Sequence, residues 1–165
     1  MDGDGNIDFV VYGYMNRGEY EGRVAVILYH FSSIDNRIAE QVYIPMNISY
    51  DVMKEDLAGF SYVNKANVFY FSLQDQIFSY NMVTKKLETV VKEAKPSNIF
   101  VSQKEAYIAF TEPKKQGGTS SAITVHDLDT GAKTTINPGS KEGLSLLGKI
   151  DENMIVGYVQ NKDCS

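Results

Sequence analysis

Apolar and polar positions alternate with a period of two along most of this chain. Ile7–Tyr12 and Arg23–Phe31 are rich in β-branched and aromatic residues and are bounded by polar turn residues, which predicts strands. The same composition recurs at Gln41–Ile44, Phe60–Val63, Asn67–Phe71, Gln76–Tyr80 and Leu87–Val91. It returns at Asn98–Val101, Ala106–Phe110, Ala122–His126, Lys133–Ile136, Ser145–Gly148 and Met154–Tyr158. Only Asp51–Leu57 has helical character, and it is short. Short strands separated by turn clusters, with no long helices between them, predict an antiparallel all-β fold.

The strands also repeat. Ile77–Val90 lies over Ile123–Ile136 without a gap, 46 positions apart. Each copy reads as a strand, a tight polar turn and a returning strand. Asn81 or Asp127 opens the turn and Thr84 or Thr130 sits near its tip, where such side chains bond the local backbone. Gly131 supplies a residue free to take positive φ. Upstream of each copy is another hairpin: Phe60–Val63, a turn at Asn64–Ala66 and Val68–Phe71 correspond to Ile99–Val101, Gln103–Glu105 and Tyr107–Phe110. A third such hairpin starts at Leu146, turns through Asp151–Asn153 and continues to Tyr158. At the front, Ile7–Tyr12, Val24–Phe31 and Gln41–Ile44, joined by a loop at Asn16–Gly22 and a turn near Asp35, supply three strands of an earlier unit.

Four strands in about 40 to 46 residues, repeated, is the spacing of a β-propeller blade. The chain resembles β-propeller repeat proteins, and Val125–Gly131 is similar to the aspartate-threonine-glycine turn between the outer strands of many blades. The resemblance implies antiparallel four-stranded blades, about three and a half of them. The blade parts are 1–46, 57–92, 97–137 and 144–160 of a single segment, 1–165. The first part lacks its innermost strand and the last lacks its outer pair. Closed propellers have about four to eight blades, so the expectation is an excerpt of a longer protein in which Met1 is internal. A twisted sandwich or open sheet is the alternative fold.

Met1–Phe9 is the sharpest local motif. Alternating carboxylates with glycines between them let a backbone wrap oxygen ligands round a hard cation, as Ca²⁺ requires. An EF-hand needs a bidentate Glu at loop position twelve, and that slot falls on Gly13 or Val11. The loop instead resembles the calcium motif of FG-GAP and VCBS-type propeller repeats. That resemblance implies a structural Ca²⁺ held by Asp2, Asp4, the Asn6 carbonyl and Asp8, with the motif's first aspartate falling before Met1. An Asp/Gly turn without metal is the competing reading.

Composition narrows the function classes. The chain has 165 residues, 43% hydrophobic and 22% charged, an ordinary globular mixture. Its net charge of −5 lacks the basic footprint of a nucleic-acid binder. No apolar run is long enough for a membrane-spanning helix. Cys164 alone makes neither a disulfide framework nor a zinc site.

Catalytic signatures are sparse. His30 and His126 lie on separate strands, and neither a Gly-x-Ser-x-Gly elbow nor a phosphate loop occurs. Glu112–Ser121 reads as a hairpin tip. Glu55 with Asp56, or Asp127 with Asp129, are candidate acid pairs whose alternative role is in turns. Tyr12, Tyr14 and Tyr20 group beside the acidic loop, whereas Phe69–Phe71 reads as a strand buried on both faces. The function expected is a non-catalytic binding or interaction scaffold of an exported or cell-envelope protein, with a protein or glycan partner and self-association through exposed strand edges. The other class is a hydrolase or lyase whose active site lies in blades outside this segment.

Overall fold

The computed structural model describes residues 5–95, 98–102, 104, 106–112, 122–139, 142–151 and 153–160. Asn16–Gly22 closes a long hairpin between β1 (Ile7–Tyr14) and β2 (Val24–Ser32), and a turn at Asn36 leads into β3 (Arg37–Met46). These three strands form one antiparallel sheet in the order β1-β2-β3. Next comes the short helix α1 (Tyr50–Gly59). A four-stranded sheet follows in chain order, β4 (Ser61–Val63), β5 (Val68–Leu73), β6 (Gln76–Asn81) and β7 (Lys86–Val91). A second has the same order, β8 (Ile99–Ser102), β9 (Tyr107–Thr111), β10 (Ile123–Asp127) and β11 (Lys133–Ile136). The hairpin β12 (Glu142–Ile150) and β13 (Asn153–Gln160) completes the described strands.

The protein is therefore all-β with one helix, and each sheet is built from consecutive antiparallel strands. Every predicted strand is present, several of them longer than the periodic run that signalled it. The helix likewise extends from the predicted Asp51–Leu57 to Tyr50–Gly59, one residue longer at its start and two at its end, where a hydrophobic period does not fix helix boundaries.

The chain divides into two units. The first comprises Met1–Val63, Asn67–Gln74 and Phe78–Glu88. In its core Val26, Leu28, Val42 and Ile44 of the first sheet meet Phe69, Phe71 and Leu73 of β5. Met53 and Leu57, four residues apart on one stripe of α1, join them. Phe69, Tyr70 and Phe71 are 1%, 5% and 0% exposed, so β5 is buried on both faces as its composition predicted. Full burial of one such ring stabilises the fold by about 1.5–3 kcal/mol.

The second unit comprises Asn64–Ala66, Asp75–Ile77 and Thr89–Ser165. Phe100, Ala109 and Ile123 pack on Leu144, with Tyr107, Val125, Leu146, Met154 and Val156 around them. The β12–β13 register slips between Leu146 and Gly148, which leaves Leu147 as a bulge. Leu147 lies over Gly157, where an added Cβ would come within 2.7 Å of it. Asn64 is buried in this unit; its amide donates to the Leu128 carbonyl at 2.7 Å while its Oδ1 accepts from Ala66 N–H at 3.0 Å.

Candidate functional site

The uninterrupted β1–β2 register pairs Asp8 with His30 and Val10 with Leu28. Directly opposed residues share a face, so the carboxylate and imidazole meet, Asp8 Oδ1 to His30 Nδ1 at 2.8 Å. Both side chains keep over a third of their surface in solvent. On the same face, Asn6, Asp8, Val10 and Leu28 line one side of a cavity of about 190 Å³. Ser61, Tyr62 and Val63 of β4, with Phe69 of β5, line the other. Polar groups thus cluster round Asn6 and Asp8, while Val10, Leu28, Val63 and Phe69 supply apolar wall.

The loop before β1 is anchored by its side chains. Asn6 Oδ1 accepts the backbone N–H of Ser33 at 3.0 Å, which ties the loop to the β2–β3 turn. Gly5 has φ 81 and lies against the same serine. Asp2 and Asp4 lie outside the described residues, so the proposed ligand set is represented here by Asn6 and Asp8. Among the described residues, no group of three His, Cys, Asp or Glu could hold a metal ion. A Ca²⁺ at this loop would therefore draw two of its carboxylates from Asp2 and Asp4. The described part is chemically compatible with that role: the Asn6 side chain is bonded elsewhere, the assignment uses its backbone carbonyl, and Asp8 has one oxygen on His30 and a second to offer.

Asp8 and His30 have the relation of an orienting acid and a base, but among the described residues no nucleophile is bonded to the pair. Among the described residues the His30 side chain makes no hydrogen bond besides that to Asp8, where a triad would add a hydroxyl or thiol at Nε2. Ser61, on the cavity wall, donates its hydroxyl to the Leu57 carbonyl at 2.8 Å. His126 is buried at mid-sheet, opposite Ile108 and Lys133. Burial, reinforced by the Lys133 charge, lowers its pKa, so it stays neutral at pH 7.

One acid of each candidate pair, Asp56 and Asp127, accepts backbone N–H groups. Asp56 Oδ2 accepts the Gln74 N–H at 2.7 Å. Asp127 Oδ1 accepts those of Asp129 and Thr130 at 3.0 and 2.7 Å. Of the hairpin tip Glu112–Ser121, only Glu112 is among the described residues, and it accepts the Thr124 hydroxyl.

The tyrosines that follow the acidic loop in sequence have different surroundings, and Tyr12 packs against the core of the first unit. Tyr12 stacks on Tyr50 of α1 with ring centroids 5.8 Å apart, Tyr14 is 64% exposed, and Tyr20 stacks on Tyr43 at 4.0 Å. Tyr20 also donates its hydroxyl to Glu40 Oε1 at 2.8 Å, and that bond to a carboxylate pushes its pKa up to about 12.

Sequence reasoning missed the contributions of Ser61, Tyr62 and Phe69 to the cavity, and the bond of His30 to Asp8 on its wall. No protein-family model matches this chain, and no curated protein matches it.

Proposed function

We propose that this chain is a β-propeller segment acting as a non-catalytic binding scaffold, with the cavity beside Asp8 as its ligand site. The observation that carries the propeller reading is the recurrence of a four-stranded, chain-ordered sheet. It is flanked in sequence by a three-stranded sheet and a two-stranded hairpin, as the blade spacing requires. The scaffold reading is supported by the deployment of reactive groups: one acid of each candidate pair, Asp56 and Asp127, holds a turn, and the Asp8–His30 pair lacks a nucleophile among the described residues. A protein or glycan is the partner class. Self-association through β13 (Met154–Val159) or β1 (Ile7–Tyr12) belongs to the same reading, because strand edges recruit partners.

The test is a hydrolase and lyase substrate panel run beside glycan and peptide arrays. Saturable binding without turnover supports the scaffold. Turnover abolished by His30→Ala or Asp8→Asn replaces it with the enzyme reading. Sedimentation that stays monomeric at high concentration removes the self-association.

The proposal includes a structural Ca²⁺ at Asp2, Asp4, Asn6 and Asp8. Three nearby carboxylates repel, and a divalent cation relieves that repulsion. The expected outcome is a rise in melting temperature with millimolar Ca²⁺, reversed by chelator and absent in Asp4→Ala. An equal response to Mg²⁺ would reduce the motif to a turn.

A further inference from the structure

We infer that Tyr20 and Tyr43 are an oxidative modification site, at which a one-electron oxidant of the peroxidase class joins the two rings through their ortho carbons and ties the β1–β2 loop to β3. The reaction lies beyond the scaffold reading: it needs no ligand at Asp8 and no residue outside the first unit. Tyr20, carried by the Asn16–Gly22 loop, stacks on Tyr43 of β3 with ring centroids 4.0 Å apart and planes 16° from parallel. Five other aromatic pairs stand 5.0–5.8 Å apart. The Tyr20 hydroxyl donates to Glu40 Oε1 at 2.8 Å, and that bond is exposed to solvent. The Tyr43 hydroxyl is buried and, among the described residues, has no hydrogen-bond partner.

A phenol gives up an electron readily only where a base takes its proton in the same step. Glu40 is that base for Tyr20, and Tyr43 has none, so Tyr20 is oxidised first: its electron goes to the oxidant and its hydroxyl proton to Glu40. The resulting spin is shared with the ortho carbons, one of which bonds an ortho carbon of Tyr43. A second electron then passes to the oxidant, the Tyr43 ring sheds its ortho proton to water, and the ortho hydrogen of Tyr20 returns to its phenolic oxygen. The two electrons and two protons reduce one hydrogen peroxide to two waters. Coupling requires the stack to slip from face-to-face to edge-joined. Tyr43 is held in register opposite Ile27, so the ring that moves is Tyr20, on a loop between Gly18 and Gly22 at φ 89 and 83. Standing contact between the rings replaces a chance encounter. The pair should therefore couple ahead of Tyr14, Tyr50 and Tyr158, which are 64%, 53% and 68% exposed.

The test treats the full chain, at low protein concentration, with a haem peroxidase and limiting hydrogen peroxide. The expected product is a monomer lighter by two hydrogens, with dityrosine fluorescence and a proteolytic fragment that joins the peptides holding positions 20 and 43. Tyr20→Phe and Tyr43→Phe each keep a ring in the stack and should lower that product at least roughly tenfold. Tyr14→Phe should leave it unchanged. Glu40→Gln keeps an oxygen that can accept the Tyr20 hydroxyl but is no base, and it should slow coupling at least about tenfold. The cross-link restricts the unfolded chain, so the coupled protein should melt about 5 °C higher.

Cross-links that run mainly between chains, or through Tyr14, Tyr50 or Tyr158, overturn the inference, because exposure and not the stack would then select the site. So does a yield that survives Tyr43→Phe, or oxidation that leaves positions 20 and 43 unjoined. Coupling of Glu40→Gln at the natural rate would remove Glu40 as the proton acceptor and with it the reason for Tyr20 to be oxidised first.

Discussion

The hairpin turns after β6 and β10 are the same structure built from different residues. Asn81 Oδ1 accepts the N–H groups of Val83 and Thr84 at 3.0 and 2.8 Å. Asp127 Oδ1 accepts those of Asp129 and Thr130 at 3.0 and 2.7 Å. The carbonyls correspond too: Asn81 accepts from Lys85 N–H at 2.8 Å, and Asp127 from Gly131 N–H at 3.0 Å. The next residue ties each turn to the preceding hairpin, Met82 N–H to Asn67 O at 2.9 Å and Leu128 N–H to Ala106 O at 2.7 Å. Asn67 and Ala106 both have positive φ, 59° and 50°. Neither a negative charge nor a glycine is therefore needed for this geometry. An oxygen acceptor at the first position suffices to hold it, and Lys85 reaches φ 59 where Gly131 has φ 73.

The comparison is broken most forcefully at that left-handed position. Gly131→Val should destabilise the protein by about 1–2 kcal/mol, because a Cβ in the left-handed region meets its own carbonyl. Lys85→Val should cost less, since lysine already bears most of that penalty. Urea denaturation of both variants checks this, and equal losses would mean that the two turns differ more than their hydrogen bonds indicate.

Removing the shared acceptor comes next. Asn81→Ala and Asp127→Ala each delete an oxygen that accepts two backbone N–H groups, and each should cost about 1 kcal/mol. Because both turns are partly solvated, water compensates for some of the loss. Asp127→Asn and Asn81→Asp should each be nearly neutral at pH 7, since the acceptor is retained. A large loss in either exchange, measured by the same denaturation, would mean that charge itself sets the geometry.

These turns were legible in the sequence because everything that builds them lies within five residues, and the repeat displayed them twice. The sheets were legible because strand period and turn chemistry are local as well. The cavity was not. Asp8 and His30 are 22 positions apart, and their contact depends on a register fixed by the hairpin between them. Ser61, Tyr62 and Phe69 reach the site through packing of one sheet on another, for which a single sequence carries no local signal. Asn64 shows the same limit: it reads as an ordinary turn residue, yet its amide is buried against Leu128.

A smaller effect, of opposite sign, is expected from Lys85→Gly. Glycine occupies positive φ without a Cβ penalty but has more conformational freedom to lose, so a gain of about 0.5 kcal/mol is the balance. Part of it is offset by loss of the bond from Lys85 Nζ to the Gln41 carbonyl at 3.2 Å. A rise in melting temperature that Lys85→Ala does not reproduce would trace the gain to backbone conformation. A fall would show that the long-range bond outweighs the strain.

The smallest effect separates the two turns by pH. The Thr130 backbone N–H, and then its hydroxyl, lower the Asp127 pKa from the ordinary 3.8 by bonding the charged form. A group whose folded pKa is depressed contributes stability that is present above its unfolded value and lost as pH falls through the folded one. Asp127 should therefore help the fold at neutral pH and lose that contribution as the pH falls from 3.8 through its lower folded value. Asn81 has no such titration. Since other carboxylates also titrate in that range, the readout is the difference in melting temperature between the natural protein and Asp127→Asn. That difference should move against the natural protein on acidification from pH 6 to 3, in low salt where an exposed charge is least screened. Asn81→Asp is the reciprocal arm: with the same two N–H donors aimed at its carboxylate, it should acquire the pH dependence that Asp127→Asn loses. If Asp127→Asn tracks the natural protein at every pH, the turn does not distinguish carboxylate from amide even electrostatically, and the hydrogen-bond geometry alone accounts for both hairpins.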